Sequence, residues 1–244
     1  MRFLVGIDDT DNLESRGTGY RARQLGERIA RAGMESLGIT RHQLLVDSRI
    51  PYTSHNSSAC LAVECPPALE PELASACRQF LSVESASGSD AGLCIAHRER
   101  VHDMVMMFGL RAKTEVLSID EAVALSRAQG IYLVGLTGDG GGVIGALAAV
   151  GLRAGGNDGR FLWLSGLREL LGVHTAAGLR GQVPLDGIET EAGDVAGPND
   201  RILVGEWPRP VMRAGRVVLL IEEIQHEKYE WIVAARSRIK GLSE

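Results

Sequence analysis

Three carboxylates crowd near the start of the chain, where Asp8, Asp9 and Asp11 follow a short apolar run. Aspartates at the end of a buried strand repel one another unless a cation or strong hydrogen-bond donors neutralise them, and Mg²⁺ takes oxygen ligands of this kind. The spacing therefore predicts a divalent-metal site formed by these three residues. A solvated turn, with aspartates capping a helix or turn, is the alternative.

Two glycine-rich segments are candidate phosphate sites. Residues 16–19 precede a predicted helix, where glycines let the backbone approach a ligand and free amides attract an anion. Residues 138–146 place several glycines ahead of a short apolar helix, with Asp139 as a candidate contact to a metal or ribose. No Gly-Lys-Ser/Thr follows, which excludes a Walker P-loop. A flexible loop is the alternative for both segments.

A polar loop over residues 49–56 could present donors to a substrate, and it contains His55 as a candidate general base. A surface loop is the alternative, as it is for the similar segment of residues 87–90. Only three of the 26 basic residues are lysines, so positive charge on a phosphate must come mostly from arginine or metal. The candidate arginines are Arg16, Arg49 and Arg160.

Strands and helices alternate along the chain in a way that can position these groups. Apolar runs predict strands over residues 2–7, 44–46, 59–63, 93–96 and 161–164. Helical periodicity predicts helices over residues 20–34, 69–81, 122–129 and 143–150, the third preceded by a capping box of Ser118 and Glu121. The pattern indicates an α/β protein, or an α+β one, with a mixed sheet and helices.

The segment of residues 183–199 is rich in glycine, proline and acids, and we interpret it as a connection to a final α+β module. That module has predicted strands over 202–204 and 217–221 and a helix over 229–240. We therefore expect two domains, residues 1–197 and 198–244. Strand pairing between two copies of the module makes a homodimer a further expectation.

Composition excludes several classes of protein. The 244 residues are 45% hydrophobic and 23% charged, with a mean hydropathy of +0.01, which is typical of a globular chain. We expect no membrane span and no signal peptide, hence a cytoplasmic protein. Four cysteines without C-x-x-C spacing argue against a zinc ribbon, and a net charge of -5 provides no global attraction to nucleic acid.

Residues 6–11, Arg16 with Gly17, residues 50–52 and residues 142–151 together resemble the archaeal tRNA isoleucine-2 agmatinylcytidine synthetases. The likeness covers roughly residues 1–165, and the final module looks like a shortened form of that family's ferredoxin-like domain. It implies an ATP- and Mg²⁺-dependent kinase domain that phosphorylates a tRNA wobble cytidine, which agmatine then attacks. It also implies that the acidic motif handles metal and phosphates, and that nucleotide contacts come from Thr10, Gly17, Asn56, Gly140, Gly141, Gly142 and Gly145.

Two departures from the family pattern alter the expected substrate. The family's phosphate-accepting threonine lies four residues after the arginine matched by Arg16, where this chain has Tyr20, so Thr18 is the nearest hydroxyl. The chain also ends at Glu244, so we expect it to lack the family's OB domain and zinc ribbon. We expect a phosphotransferase or ligase-like enzyme that acts on a small-molecule acceptor, or on tRNA delivered by a separate partner.

Three other functions fit parts of the pattern. A module that binds or senses a nucleotide without turnover is one. An aspartyl-phosphate phosphatase would use Asp9 and Asp11, although Leu13 stands where that motif has threonine. An actin-like ATPase would use Asp8 and residues 139–142.

Overall fold

The computed structural model describes residues 1–51, 53 and 55–241, and the chain divides into two compact units, Met1–Gly155 and Gly156–Glu244. The division falls after Gly155, well before the boundary expected at residue 197. The reason is a shared core, because Phe161 and Ile188 pack in one cluster with Ile202 and Leu219. Within the described residues, no helix has the length and apolar character needed to cross a membrane.

The first unit is an antiparallel sheet with helices. Its strands lie in the order β5-β4-β1-β3-β2, and every pairing is antiparallel. The strands are β1 (Arg2–Asp8), β2 (Glu35–Gln43), β3 (Ser57–Glu64), β4 (Gly92–His97) and β5 (Tyr132–Gly135). The helices are α1 (Thr18–Arg31), α2 (Glu70–Glu84), α3 (Asp103–Arg111), α4 (Ile119–Ala128) and α5 (Val143–Gly155).

Helix α5 packs closely on the middle of this sheet because the strands offer it glycines. A Cβ at Gly6 of β1 would overlap the carbonyl oxygen of Ala146, and one at Gly92 of β4 would overlap the backbone of Gly142. Almost every residue of α5 is buried. This close approach brings the glycine-rich start of α5 to the carboxyl end of β1.

In its described residues, the second unit is a small mixed sheet with two short helices. Its strands lie in the order β6-β10-β11-β12-β9-β7, and β8 pairs in parallel with β11. They are β6 (Arg160–Trp163), β7 (Gly172–Thr175), β8 (Gly187–Glu189), β9 (Arg201–Val204), β10 (Val211–Arg213), β11 (Arg216–Glu223) and β12 (Trp231–Val233). The helices are α6 (Ala176–Gln182) and α7 (Arg236–Gly241). The expected combination of mixed sheet and helices is confirmed.

Three local predictions are wrong. The strand expected over residues 44–46 lies earlier, as β2, where buried polar side chains hide the usual alternation. The segment of residues 183–199 is not a linker, since β8 inserts into the core. The helix expected over residues 229–240 begins at Arg236, because the residues before it form β12 between β11 and β9.

Candidate functional site

A cavity of about 200 Å³ opens at the carboxyl end of β1 in the first unit. Its walls come from the acidic turn after β1, the start of α1, the loop between β2 and β3, the turn before β4, the segment between α3 and α4, and the start of α5. Of the residues singled out in the sequence, it is lined by Asp8, Asp9, Asp11, Thr18, Arg49, His55, Asn56, Asp90, Gly141, Gly142 and Gly145. Residues distant in sequence are thus brought together around one space.

Asp8 is closely enclosed by the start of α5. It lies against the first turn of α5, where a Cβ at Gly145 would overlap its carboxyl group. Burial raises the pKa of Asp8 to about 7, and the nearby charges of Asp9 and Asp11 add to this effect. Gly145 therefore makes room for the carboxyl group of Asp8, whose charged form is disfavoured by burial.

Asp9 continues the crowding in a strained backbone conformation. Its φ of 49° lies in the left-handed region, which residues other than glycine seldom adopt. Burial raises the pKa of Asp9 to about 6, and the charges of Asp90 and Asp11 contribute to this rise. Strain of this kind persists where the surrounding structure imposes it, as at ligand sites.

Asp90 joins this group from the turn before β4. Its carboxylate accepts a hydrogen bond from the backbone N–H of Asp139 at 2.6 Å, and its carbonyl oxygen accepts one from Gly142 at 2.9 Å. Asp90 thereby ties the glycine-rich segment to the sheet. In the sequence, Asp90 was marked only by its place in a polar turn before a predicted strand.

Asp11 has a different environment, because threonines surround its carboxylate. Its Oδ1 accepts hydrogen bonds from the backbone N–H of Thr18 at 3.0 Å and from the Thr18 hydroxyl at 2.8 Å. Its Oδ2 accepts one from the hydroxyl of Thr53 at 2.8 Å. Thr10 is fully buried, and its hydroxyl donates to the Thr18 oxygen at 3.2 Å. Asp11 therefore fixes the first residue of α1.

The remaining sequence candidates lie at the edge of the cavity or away from it. Arg16 is exposed and stacks on Tyr20, with its guanidinium carbon 4.6 Å from the ring centroid. Arg49 reaches the cavity but forms two hydrogen bonds to Asp47, each 2.8 Å long, and these hold the pKa of Asp47 below its usual value. Arg160 belongs to β6 in the second unit.

Two other predicted contacts come close without lining the cavity. Gly17 is exposed beside Asp11, whereas Gly140 packs near Gly135. Tyr52, part of the segment that carried the family resemblance, lies outside the described residues, as does Ser54.

The apolar character of one wall of the cavity was not anticipated from the sequence. This wall combines residues from the β2–β3 loop, the α3–α4 segment and α5: Leu44, Ile50, Pro51, Ala112, Val116, Leu117, Ile119 and Ile144. Single apolar residues carry no local signal for a pocket, because their meeting depends on how α3, α4 and α5 pack.

The carboxylates fit Mg²⁺ to different degrees. In the described part of the chain, no three His, Cys, Asp or Glu side chains form a ready metal cluster. Both oxygens of Asp11 are engaged by threonines. Asp8 and Asp9 suit the ion better, because Mg²⁺ commonly takes one or two carboxylates and completes its shell with phosphate and water. The metal site of Asp8, Asp9 and Asp11 stays a prediction.

Comparison with curated proteins places the chain near one class of tRNA enzyme, although no family model matches it. It is 26% identical over 154 residues to an uncharacterized protein of Methanocaldococcus jannaschii. It is 29% identical over 155 residues to the 2-agmatinylcytidine synthetase of isoleucine-2 tRNA (TiaS) from Methanosarcina mazei. These matches cover 62% and 61% of this chain, and 50% and 35% of the respective relatives.

Comparison with solved structures also finds TiaS. Apo TiaS matches with a TM-score of 0.54 at 29% identity, and the TiaS complex with isoleucine-2 tRNA and ATP matches with the same values. A complex with the same tRNA, AMPCPP and agmatine matches with a TM-score of 0.53 at 28% identity. Each covers 62% of this chain and 35% or 36% of the solved one.

Fold and sequence together define a TiaS-like domain within a shorter chain. The resemblance inferred from the sequence motifs is thereby confirmed, and the chain is related to an enzyme that has been crystallised with ATP and tRNA. It spans half of the M. jannaschii relative and about a third of the TiaS chains it matches.

Proposed function

We propose that the first unit catalyses an ATP- and Mg²⁺-dependent phosphoryl transfer of the phosphotransferase or ligase type. The observation that carries this proposal is the 2.8 Å hydrogen bond from the Thr18 hydroxyl to Asp11 in the wall of the cavity. A hydroxyl donating to a carboxylate is the arrangement of a nucleophile with its base. The relatives crystallised with ATP or AMPCPP support the choice of nucleotide.

In this mechanism the Thr18 oxygen attacks a phosphorus atom of ATP. A Thr18 O–P bond forms, a bridging P–O bond of the phosphoanhydride breaks, and the Thr18 proton passes to Asp11. The backbone N–H of Thr18 also donates to Asp11, so the carboxylate stays beside the hydroxyl as α1 begins. The tyrosine at position 20 leaves this chemistry intact, because Thr18 supplies the hydroxyl.

Asp8 and Asp9 would hold the Mg²⁺ that accompanies the nucleotide, and this ion would neutralise charge on the phosphates. Burial and crowding support this assignment, since a cation would offset both the burial and the neighbouring carboxylate charges that raise the two pKa values. The backbone around Gly141 and Gly142 would lie against the nucleotide. Positioning and charge neutralisation then supply most of the catalysis.

The acceptor is the least constrained part of the proposal. Relatives have been crystallised with isoleucine-2 tRNA and agmatine, but this chain matches only about a third of their length. With a net charge of -5, the chain carries no overall attraction to RNA. We therefore propose a small-molecule acceptor, or tRNA brought by a partner. In this view the first unit is the kinase-like part and the second unit the ferredoxin-like part.

The test incubates the purified chain with Mg²⁺ and ATP labelled at the α- or γ-phosphate. We expect Mg²⁺-dependent label on the protein. Attack at the γ-phosphorus transfers the γ-label and releases ADP, whereas attack at the α-phosphorus leaves α-labelled AMP on Thr18 and releases pyrophosphate. Label should be absent from Thr18→Val and unchanged in Thr114→Val, an exposed threonine between α3 and α4. Tight ATP binding without product or label would instead identify a nucleotide-binding module.

A further inference from the structure

We propose that Thr53 is a positioning residue, which holds Asp11 in the rotamer that presents Oδ1 to the Thr18 hydroxyl. The inference rests on the proposed function, because it concerns how the base of that reaction is aligned. Thr53 lies 42 residues from Asp11 in sequence, yet its hydroxyl donates to Oδ2 of Asp11 at 2.8 Å.

The geometry shows why a second contact matters. Both hydrogen bonds from Thr18 go to the same oxygen of Asp11, so they leave the carboxylate able to turn about that oxygen. The terminal torsion of an aspartate is intrinsically broad, with no sharp staggered minimum to hold it. The bond from Thr53 engages the other oxygen and so fixes the plane of the carboxylate.

The loop that carries Thr53 is anchored at its base. The backbone N–H of Leu45 donates to the carbonyl of Ala112 at 3.0 Å, and the Asn56 side-chain amide donates to the carbonyl of Leu45 at 2.6 Å. The side chain of Gln43 also donates to the carbonyl of Asn56 at 2.8 Å. These bonds hold Leu45 and Asn56, which lie at the two ends of the loop.

The chemistry of the donor suits a positioning role. A threonine hydroxyl is neutral, so it orients the carboxylate without cancelling its charge, as a lysine or arginine would. Thr53 can therefore orient Asp11 without forming an ion pair with it. The Thr53 hydroxyl contacts Oδ2 of Asp11 and the Thr18 hydroxyl contacts Oδ1, so Thr53 acts on the reacting hydroxyl through the carboxylate.

The test compares Thr53→Val, which removes the hydroxyl but keeps the shape, with Thr53→Ser, which keeps the hydroxyl. We expect the rate constant for label transfer at saturating ATP to fall about 10- to 100-fold in Thr53→Val, because small misplacements of reacting groups cost that much. The KM for ATP should stay within about threefold of the wild-type value. The rate constant of Thr53→Ser should also lie within about threefold of the wild type, since this variant keeps the hydroxyl that donates to Asp11. Thr53→Ala, which also lacks the hydroxyl, should repeat the defect.

The outcomes separate this inference from the proposed function. A wild-type chain that is never labelled at Thr18 refutes the function and this inference with it. A labelled wild type with an unchanged rate in Thr53→Val and Thr53→Ala refutes the positioning role alone. A rate in Thr53→Ser as low as in Thr53→Val also refutes it, because loop packing and not the hydroxyl would then be responsible.

Discussion

The two units treat enclosed carboxylates in opposite ways. In the second unit, buried Glu189 is paired with Arg216 at 2.6 Å and with Arg213 at 3.7 Å. In the first unit, Asp8 and Asp9 form no ion pair within the described residues, and other carboxylates crowd them. A carboxylate kept for structure is neutralised by the fold, whereas one left crowded beside a cavity is available for a cation or a substrate.

The largest expected effect is on the rate of Thr18 labelling, and it follows from removing the proposed base, Asp11. Asp11→Asn keeps the size of the side chain but removes the base, so we expect Thr18 labelling to slow by about 10²- to 10⁴-fold, the usual contribution of a positioned base. The measurement is a single-turnover rate with labelled ATP. Asp47→Asn is the matched control, since its carboxylate pairs with Arg49 on an exposed loop, and its rate should match that of the wild type.

Removing the positive partner of the structural carboxylate should affect stability alone. Arg216→Met leaves Glu189 buried with only the more distant Arg213, so we expect a loss of about 1–3 kcal/mol in the free energy of unfolding. Chemical denaturation measures this loss, and the labelling rate per folded molecule should not change. A slower rate in the folded variant would contradict the division of roles between the units.

Gly145 offers a steric way to disturb the reactive carboxylates. Gly145→Ala places a methyl group where the Asp8 carboxyl lies, so we expect a destabilisation of about 1–3 kcal/mol from overpacking and weaker binding of Mg²⁺ with ATP. The matched control is Gly155→Ala at the other end of α5, where a Cβ meets nothing within 4 Å. Equal behaviour of the two variants in denaturation and nucleotide titration would argue against close contact of Asp8 with α5.

The smallest effect is a dependence of stability on pH. The pKa of Asp8 is raised from 3.8 to about 7, so its favourable contribution is complete below pH 4 and is lost as the pH rises through 7. Asp8→Asn avoids that loss. The difference in free energy of unfolding between Asp8→Asn and the wild type should therefore be on the order of 1–2 kcal/mol more favourable to the variant at pH 8 than at pH 4.

Mg²⁺ tests the role of Asp8 in a second way. It should stabilise the wild type at pH 8 by binding the folded state and should have less effect on Asp8→Asn, as thermal unfolding can measure. An equal response of the two chains to Mg²⁺ would remove Asp8 from the proposed metal site.

The sequence predicted those parts of the site that depend on local pattern. The acidic turn after β1 and the glycine-rich start of α5 were found because a strand end and a helix start are visible in short windows. Their meeting was implied by the family resemblance. The contacts of Asp90 and Thr53 were not foreseeable in this way, since they depend on loops 40 or more residues from their partners.

The errors in the fold have a common physical origin. Thr40 and His42 are fully buried on β2 and hydrogen-bond to each other at 2.8 Å, so a core strand carried polar residues where alternation would place apolar ones. In the second unit, β8 has three residues among glycine and acidic neighbours, yet Ile188 is buried in the core. In both places tertiary contacts overrode the local pattern.

The most direct test is to incubate the full-length wild-type chain with Mg²⁺ and ATP and to locate the phosphate by mass spectrometry of its peptides. We expect one Mg²⁺-dependent phosphorylated residue, Thr18, and this phosphorylation should disappear in Asp11→Asn and persist in Asp47→Asn. Phosphate on an aspartate of the acidic turn, or ATP consumed at an undiminished rate by Thr18→Val, would contradict this expectation.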